Sequence, residues 1–308
     1  MRIAVLGPGG VGGLIAAALE RSGEQVSVIA RESTARVIGE QGLRVSSVLL
    51  GDFLVHPSVS DQLSEETQVL IVASKAPTLM SALERVHVQP ALVLPLLNGL
   101  DHLTPLRERF GDVVLAGSIR VESDRPQPGV IVHSSQFLRI DMASQQPTLR
   151  ESMFELARRL SDAGIPARVC DSEAQVMWGK LVRLNALATT TSAFDKLLGE
   201  IRGTPELNDQ LVGAIKEGCA VAAAEGAAID PGAPIAELAA AHDTLGSSMQ
   251  RDIAAGRAPE LDAIAGAVLR AGARHGIGCP TTARLARLIA KRAAIQSLEV
   301  AEMPLHNS

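Results

Sequence analysis

The chain has 308 residues, enough for two domains, and a formal net charge of −5. That charge, the scatter of its Lys and Arg, and an aromatic set of one Trp, five Phe and no Tyr argue against nucleic-acid binding, which needs a basic footprint and stacking platforms. Cys170, Cys219 and Cys279 are dispersed and odd in number, which fits neither a disulfide framework nor a zinc site; with no secretory leader ahead of Ile3 and no membrane-length apolar run, they imply a cytoplasmic protein without a metal.

The first 170 residues alternate strand-like and helix-like segments. Strands are expected at Ile3–Leu6, Gln25–Ala30, Val69–Ala73, Ala91–Pro95 and Val113–Ala116. Helices are expected at Val11–Ser22, Thr34–Gln41, Pro77–Val86 and Asp101–Phe110. This alternation implies a parallel sheet with crossover helices. Leu43–His56 and Val121–Met142 read as antiparallel hairpins, the second turning near Pro126–Gly129, and Leu149–Ala163 as a further helix stopped by Gly164 and Pro166. The composition then shifts. From Asp171 no strand is expected, and Ala-rich helices are placed at 172–191, 206–225, 234–255, 259–275 and 281–297, followed by a polar tail. The division is 1–170, an α/β domain, and 171–308, a helical domain. A cleft between them is the expected ligand site, and the Ala-rich helices offer a face for a homodimer.

The strongest motif is Gly7-Pro8-Gly9-Gly10-Val11-Gly12, a G-x-G-x-x-G that follows the first strand and opens a helix. Gly7 permits the tight turn, Gly9 lets the backbone approach a pyrophosphate, and Gly12 lets the helix pack on the strand. This is the dinucleotide turn of a Rossmann domain. The second strand ends at Arg31, where an NAD site places a carboxylate. A guanidinium suits the 2′-phosphate of NADPH, with Glu32 beside it as the alternative, an NAD-type ribose ligand. Lys75 and Asn98, each just after a strand, are candidates for cofactor contact, and Asn98 also for a substrate carbonyl.

These residues, in order with Trp178-Gly179-Lys180-Leu181, Ser247-Ser248-Met249-Gln250-Arg251-Asp252, Glu260, Ala273-Arg274-His275-Gly276-Ile277 and Pro280, resemble the ketopantoate reductase (2-dehydropantoate 2-reductase) family over nearly the whole chain. The resemblance implies a C-terminal domain of the 6-phosphogluconate-dehydrogenase-like type. It also implies NADPH-linked reduction of a 2-oxo acid to a 2-hydroxy acid, with 2-dehydropantoate, in pantothenate biosynthesis, as the first substrate to consider. Lys180 is then the proton donor, and Glu260 lies beside the lysine and the cofactor ribose. Ser248 binds substrate, and Ser123 touches the cofactor through its backbone. Asp252, on the helical face of Ser248, reads as a structural partner. An ammonium that polarises and then protonates a carbonyl oxygen is chemically suited to the reaction.

The chain departs from the family pattern at three substrate-binding asparagines, replaced by Leu184, Ala188 and Leu198. Asn185 lies five residues after Lys180 and off its helical face, unless a one-residue bulge restores it. The Thr189-Thr190-Thr191-Ser192 run is another source of hydroxyls. A more apolar pocket and a different 2-oxo acid are therefore an alternative, and a non-catalytic NADPH sensor is a third reading.

Overall fold

The computed structural model describes residues 1–294; the end of the helix expected over 281–297 and the polar tail lie outside the described residues. The chain divides into two compact units. The first holds residues 1–97 and 101–176, and the second takes Asn98–Leu100 and the chain from Met177 onward. The division falls near the composition shift at residue 170.

In the first unit β1 (Arg2–Leu6), α1 (Gly10–Arg21), β2 (Gln25–Ile29) and α2 (Glu32–Gln41) follow the expected order. β3 (Leu43–Ser47) and β4 (Phe53–Val55) form the first expected hairpin. β5 (Ser58–Ser60), β6 (Val69–Val72), the short α3 (Leu79–Leu83), β7 (Leu92–Pro95) and α4 (Leu103–Phe110) come next. Then come β8 (Ala116–Arg120), β9 (Ser123–Gln127), β10 (Val130–His133), β11 (Arg139–Ala143), α5 (Arg150–Asp162) and β12 (Ala167–Val169).

The principal sheet has the order β5-β2-β1-β6-β7 and is parallel throughout. Its strands are continuous apolar runs such as Val69-Leu70-Ile71-Val72, as strands covered on both faces require. The strand order reverses between β1 and β6. There the chain leaves β1 at Gly7 and β6 at Ala73-Ser74, so the switch point lies at the glycine turn. A second sheet, β4-β3-β10-β9, and a third, β12-β11-β8, complete the unit.

Three expectations are corrected here. Val113–Ala116 is not a strand. Gly111, at φ 71°, ends α4, a 3₁₀ turn follows, and Val114 makes only an isolated bridge to Val93. Pairing starts at Ala116, antiparallel to β11, because Gly117 lets the strand pass under Pro95: a Cβ there would lie 2.4 Å from the Pro95 carbonyl oxygen. The second hairpin, β9–β10, turns where expected but ends at His133, and β11 leaves it for the third sheet. The helix expected over Pro77–Val86 is a 3₁₀ turn followed by only five α-helical residues.

The second unit is helical. It contains most of α6 (Glu173–Phe194), then α7 (Leu198–Gly203), α8 (Pro205–Ala224), α9 (Gly232–Ala240), α10 (Ser248–Ala254), α11 (Ala267–Arg274) and α12 (Pro280–Arg292). The expected helix 234–255 is broken over 241–247. The Asp243 and Leu245 carbonyls there accept hydrogen bonds from the Gly199 and Leu198 amides at the start of α7, a short helix the periodicity did not reveal. The segment 259–275 is not uniform either, since Asp262–Gly266 is a π-helical turn. α12 has no side-chain cap at Cys279. Instead Glu217 of α8 accepts from the Thr281 amide (2.6 Å), the Thr282 amide (2.9 Å) and the Thr282 hydroxyl (2.8 Å).

Candidate functional site

The glycine turn is built by close approach. Gly7 sits at φ 92°, and a Cβ on it would lie 2.9 Å from the Ser74 amide nitrogen; one on Gly12 would lie 2.3 Å from the Gly7 carbonyl oxygen. Gly10 abuts β9, where a Cβ would come within 2.2 Å of the Ser123 carbonyl oxygen, and the Ser123 hydroxyl donates to the Gly10 carbonyl at 2.8 Å. A Cβ on Gly9 would meet nothing within 4 Å, so the protein leaves space at the one glycine assigned to a diphosphate. α1 begins there with no side-chain cap and no acidic residue in its first turn. These features fit a bound dinucleotide: open space over Gly9, and the amides of Gly10, Val11 and Gly12 at the positive end of α1. Arg31 is exposed at the end of β2 and caps the start of α2, and its guanidinium has no partner among the described residues. Glu32 is exposed beside it, and Lys75 is exposed after β6.

In the second unit three expected residues form one hydrogen-bonded chain. Lys180 Nζ donates to Asn98 Oδ1 at 2.8 Å, and Asn98 Nδ2 donates to Glu260 Oε2 at 3.0 Å. The amide orientation follows from its partners, because an ammonium only donates and a carboxylate only accepts. Lys180 is half-buried on α6, Glu260 is only 8 % exposed, and Trp178 and Leu181 are buried beside the lysine in sequence. The arrangement holds an ammonium able to polarise an oxygen and release a proton, backed by a carboxylate. Asn98 was expected to serve cofactor and substrate; its bridging of Lys180 and Glu260 was not foreseen.

Other candidates are placed differently. Ser248 is exposed at the first position of α10, and the buried Ser247 is the cap, accepting from the Gln250 amide at 3.1 Å. Asp252 is buried and pairs with Arg257 at 2.7 Å, as a structural residue would. The hydroxyls of Thr189, Thr190 and Thr191 are wholly buried and donate to the carbonyls four residues earlier at 2.6–2.7 Å; Ser192 is buried too, 3.4 Å from the Ser247 hydroxyl. The run therefore offers no hydroxyls to a ligand, since α6 uses them internally. α6 carries no bulge, and Asn185 is buried facing Thr282 at 3.4 Å. Ala188 and Leu198 are core residues, while Leu184 is half-buried.

Burial pushes the Cys279 thiol up to about 12 and that of Cys219 up to about 11, and raises that of Cys170. Among the described residues, no group of three or more His, Cys, Asp or Glu is placed to hold a metal, and no helix is long and apolar enough to cross a membrane.

Two models of the ketopantoate reductase PanE/ApbA family match, the N-terminal one over residues 3–144 and the C-terminal one over 174–293. The chain belongs to this family. It is 27 % identical to the 2-dehydropantoate 2-reductase of Halobacterium salinarum over 94 % of this chain and 98 % of that one. Among solved structures, the 2-dehydropantoate 2-reductase of Geobacter metallireducens has a TM-score of 0.87 at 27 % identity, covering 94 % of this chain and 99 % of that one. A D-mandelate dehydrogenase solved with NADH and anilino(oxo)acetate shares the fold, with a TM-score of 0.87 at 22 % identity, covering 96 % of this chain and 99 % of that one. The protein is thus an oxidoreductase of the 2-dehydropantoate 2-reductase family.

Proposed function

We propose that the protein reduces a small 2-oxo acid to a 2-hydroxy acid with NADPH, 2-dehydropantoate being the first candidate substrate. The observation that carries this reading is the hydrogen-bonded chain Lys180–Asn98–Glu260. When bound, the reduced nicotinamide supplies the hydride. The chain's residues do the rest. The α1 amides and Lys75 meet the diphosphate and ribose, Ser123 borders the glycine turn, and Arg31 meets the 2′-phosphate. Asn98, backed by Glu260, keeps the Lys180 ammonium oriented. Lys180 draws charge onto the substrate oxygen and then protonates it. Ser248, exposed at the head of α10, is assigned to the substrate carboxylate or hydroxyl. A non-catalytic sensor has no use for an ammonium held in this way.

A second reading keeps the reaction and changes the acid. Leu184 lies one turn beyond Lys180 on the same helical face and is half-buried, where the family's asparagine amide would meet a polar substrate group. Asn185 does not replace it, being turned inward to Thr282. Such a site favours a less polar side chain. The fold relative solved with anilino(oxo)acetate brings aryl 2-oxo acids into the panel.

The test is loss of NADPH absorbance with 2-dehydropantoate, pyruvate, branched-chain and aryl 2-oxo acids side by side. Turnover of 2-dehydropantoate above the rest supports the first assignment. Preference for an apolar acid transfers it to the second. NADPH binding without turnover of any 2-oxo acid contradicts both.

A further inference from the structure

Glu260 opens a helix whose first bond is α-type, the Ile264 amide donating to the Glu260 carbonyl at 3.1 Å, but which at once widens. Residues Asp262–Gly266 form a π turn, in which the Ala267 amide reaches back to the Asp262 carbonyl, one residue further than an α-helix allows. Only then does α11 begin, anchored by the buried Ala267, Val268, Ala271 and Gly272. An α-helix turns about 100° per residue, so the one-residue excess sets the direction in which Glu260 leaves the helix relative to that anchored face. The same turn receives the Asn98-Gly99 loop. Gly99, at φ 85°, lies so close to the Ala263 carbonyl that a Cβ on it would be 2.0 Å from the oxygen. Both partners of the Lys180 amide bridge therefore depend on this irregular turn.

The turn has its own clasp. Arg270 Nη1 donates to Asp262 Oδ1 at 2.6 Å, and Nη2 donates to the Asp262 carbonyl oxygen at 3.1 Å, the same carbonyl that closes the π bond. The guanidinium spans eight residues to do so. It passes over Gly266, where a Cβ would lie 2.6 Å from Asp262 Oδ1 and 2.9 Å from Arg270 Nη1. The pair is exposed, so its contribution to overall stability is small.

We propose that the Asp262–Arg270 clasp over Gly266 is a positioning device of the active centre: it holds the π turn, and through it keeps Glu260 and Asn98 in register with Lys180. This rests on the reading of Lys180 as the proton donor. Asp262, Gly266 and Arg270 are assigned no contact with substrate or cofactor; they act through Glu260 and Gly99. A fork-shaped guanidinium is required, because an ammonium cannot meet the carboxylate and the carbonyl in this geometry.

The test uses the full chain with Arg270→Gln, Arg270→Lys, Asp262→Asn and the double variant R270Q/D262N. Expected are a thermal midpoint close to wild type, NADPH affinity changed far less than turnover, and kcat on the best 2-oxo acid down about tenfold to a hundredfold, as misplacement of a catalytic group produces. Lysine should fail to rescue, and the double variant should be no worse than either single one, because both break one clasp. Amide exchange over 259–266 and a crystal structure of R270Q give a readout independent of turnover. Faster exchange there, with the hydrogen bond between Asn98 and Glu260 broken, supports the proposal even if wild type reduces no 2-oxo acid, in which case the functional reading alone fails. A structure of R270Q that keeps the π turn and the 3.0 Å hydrogen bond from Asn98 to Glu260 overturns it.

Discussion

Arg31 was legible from the sequence by position alone, at the end of the second strand, and it stands exposed there with its guanidinium unpaired among the described residues. If it binds the 2′-phosphate, Arg31→Ala removes a charge-assisted contact worth about 1.5–3 kcal/mol, or roughly tenfold to a hundredfold in affinity. Fluorescence titration should show NADPH binding weakened by that factor and NADH binding unchanged; equal effects on both would assign ribose recognition to Glu32. Lys180, Asn98 and Glu260 were also each legible, and the resemblance implied Glu260 near Lys180, but not that Asn98 joins them. The hydrogen bonds span 82 and 162 residues of sequence, and no local pattern reports a hydrogen bond at that distance. The threonine run misled for a physical reason: consecutive hydroxyls on a buried helix satisfy themselves on its own carbonyls.

Single elements were read well where hydrophobic period and glycine punctuation agreed, as in β1, α1, β2 and β6. They were misread where long-range pairing decided the matter. Val113–Ala116 is apolar enough for a strand, yet the pairing that forms begins at Ala116 because β11 lies there. The helix at 234–255 broke because α7 takes its middle carbonyls. One tie between elements sets a pH dependence. His133 on β10 is buried, its Nδ1 meeting the Ser47 hydroxyl of β3 at 2.8 Å and its Nε2 the Ser135 hydroxyl at 3.1 Å. The Ser135 hydroxyl spends its proton on the Phe137 carbonyl at 2.7 Å, so it accepts from Nε2–H, and Nδ1 accepts from the Ser47 hydroxyl. Burial holds the ring neutral and lowers its pKa from the ordinary 6.5. Below that value the unfolded chain takes up the proton more readily than the folded one. The stabilisation is therefore complete above 6.5 and is lost as pH falls through the folded value. Urea midpoints should drop between about pH 7.5 and about pH 5.5, and His133→Gln should flatten that slope. An unchanged slope in the variant would remove His133 as the cause.

At the scale of the molecule, composition was the reliable guide. Strand–helix alternation gave the parallel sheet, and the Ala-rich shift near residue 170 gave a helical second unit. The ordered motifs from Gly7 to Pro280 carried the family resemblance that the two family models bear out. The substrate was not legible, because no motif names the acid and the positions where the family pattern has asparagine hold Leu184, Ala188 and Leu198. The first unit carries the dinucleotide turn and the second the lysine, so cofactor binding and chemistry should separate by mutation. The decisive measurement is single-turnover oxidation of enzyme-bound NADPH by the preferred 2-oxo acid, in wild type and in Lys180→Ala. The account predicts NADPH affinity retained and the rate down about 10²–10⁴-fold, the range expected for loss of a general acid. A Lys180→Ala protein that turns over at the wild-type rate would contradict it.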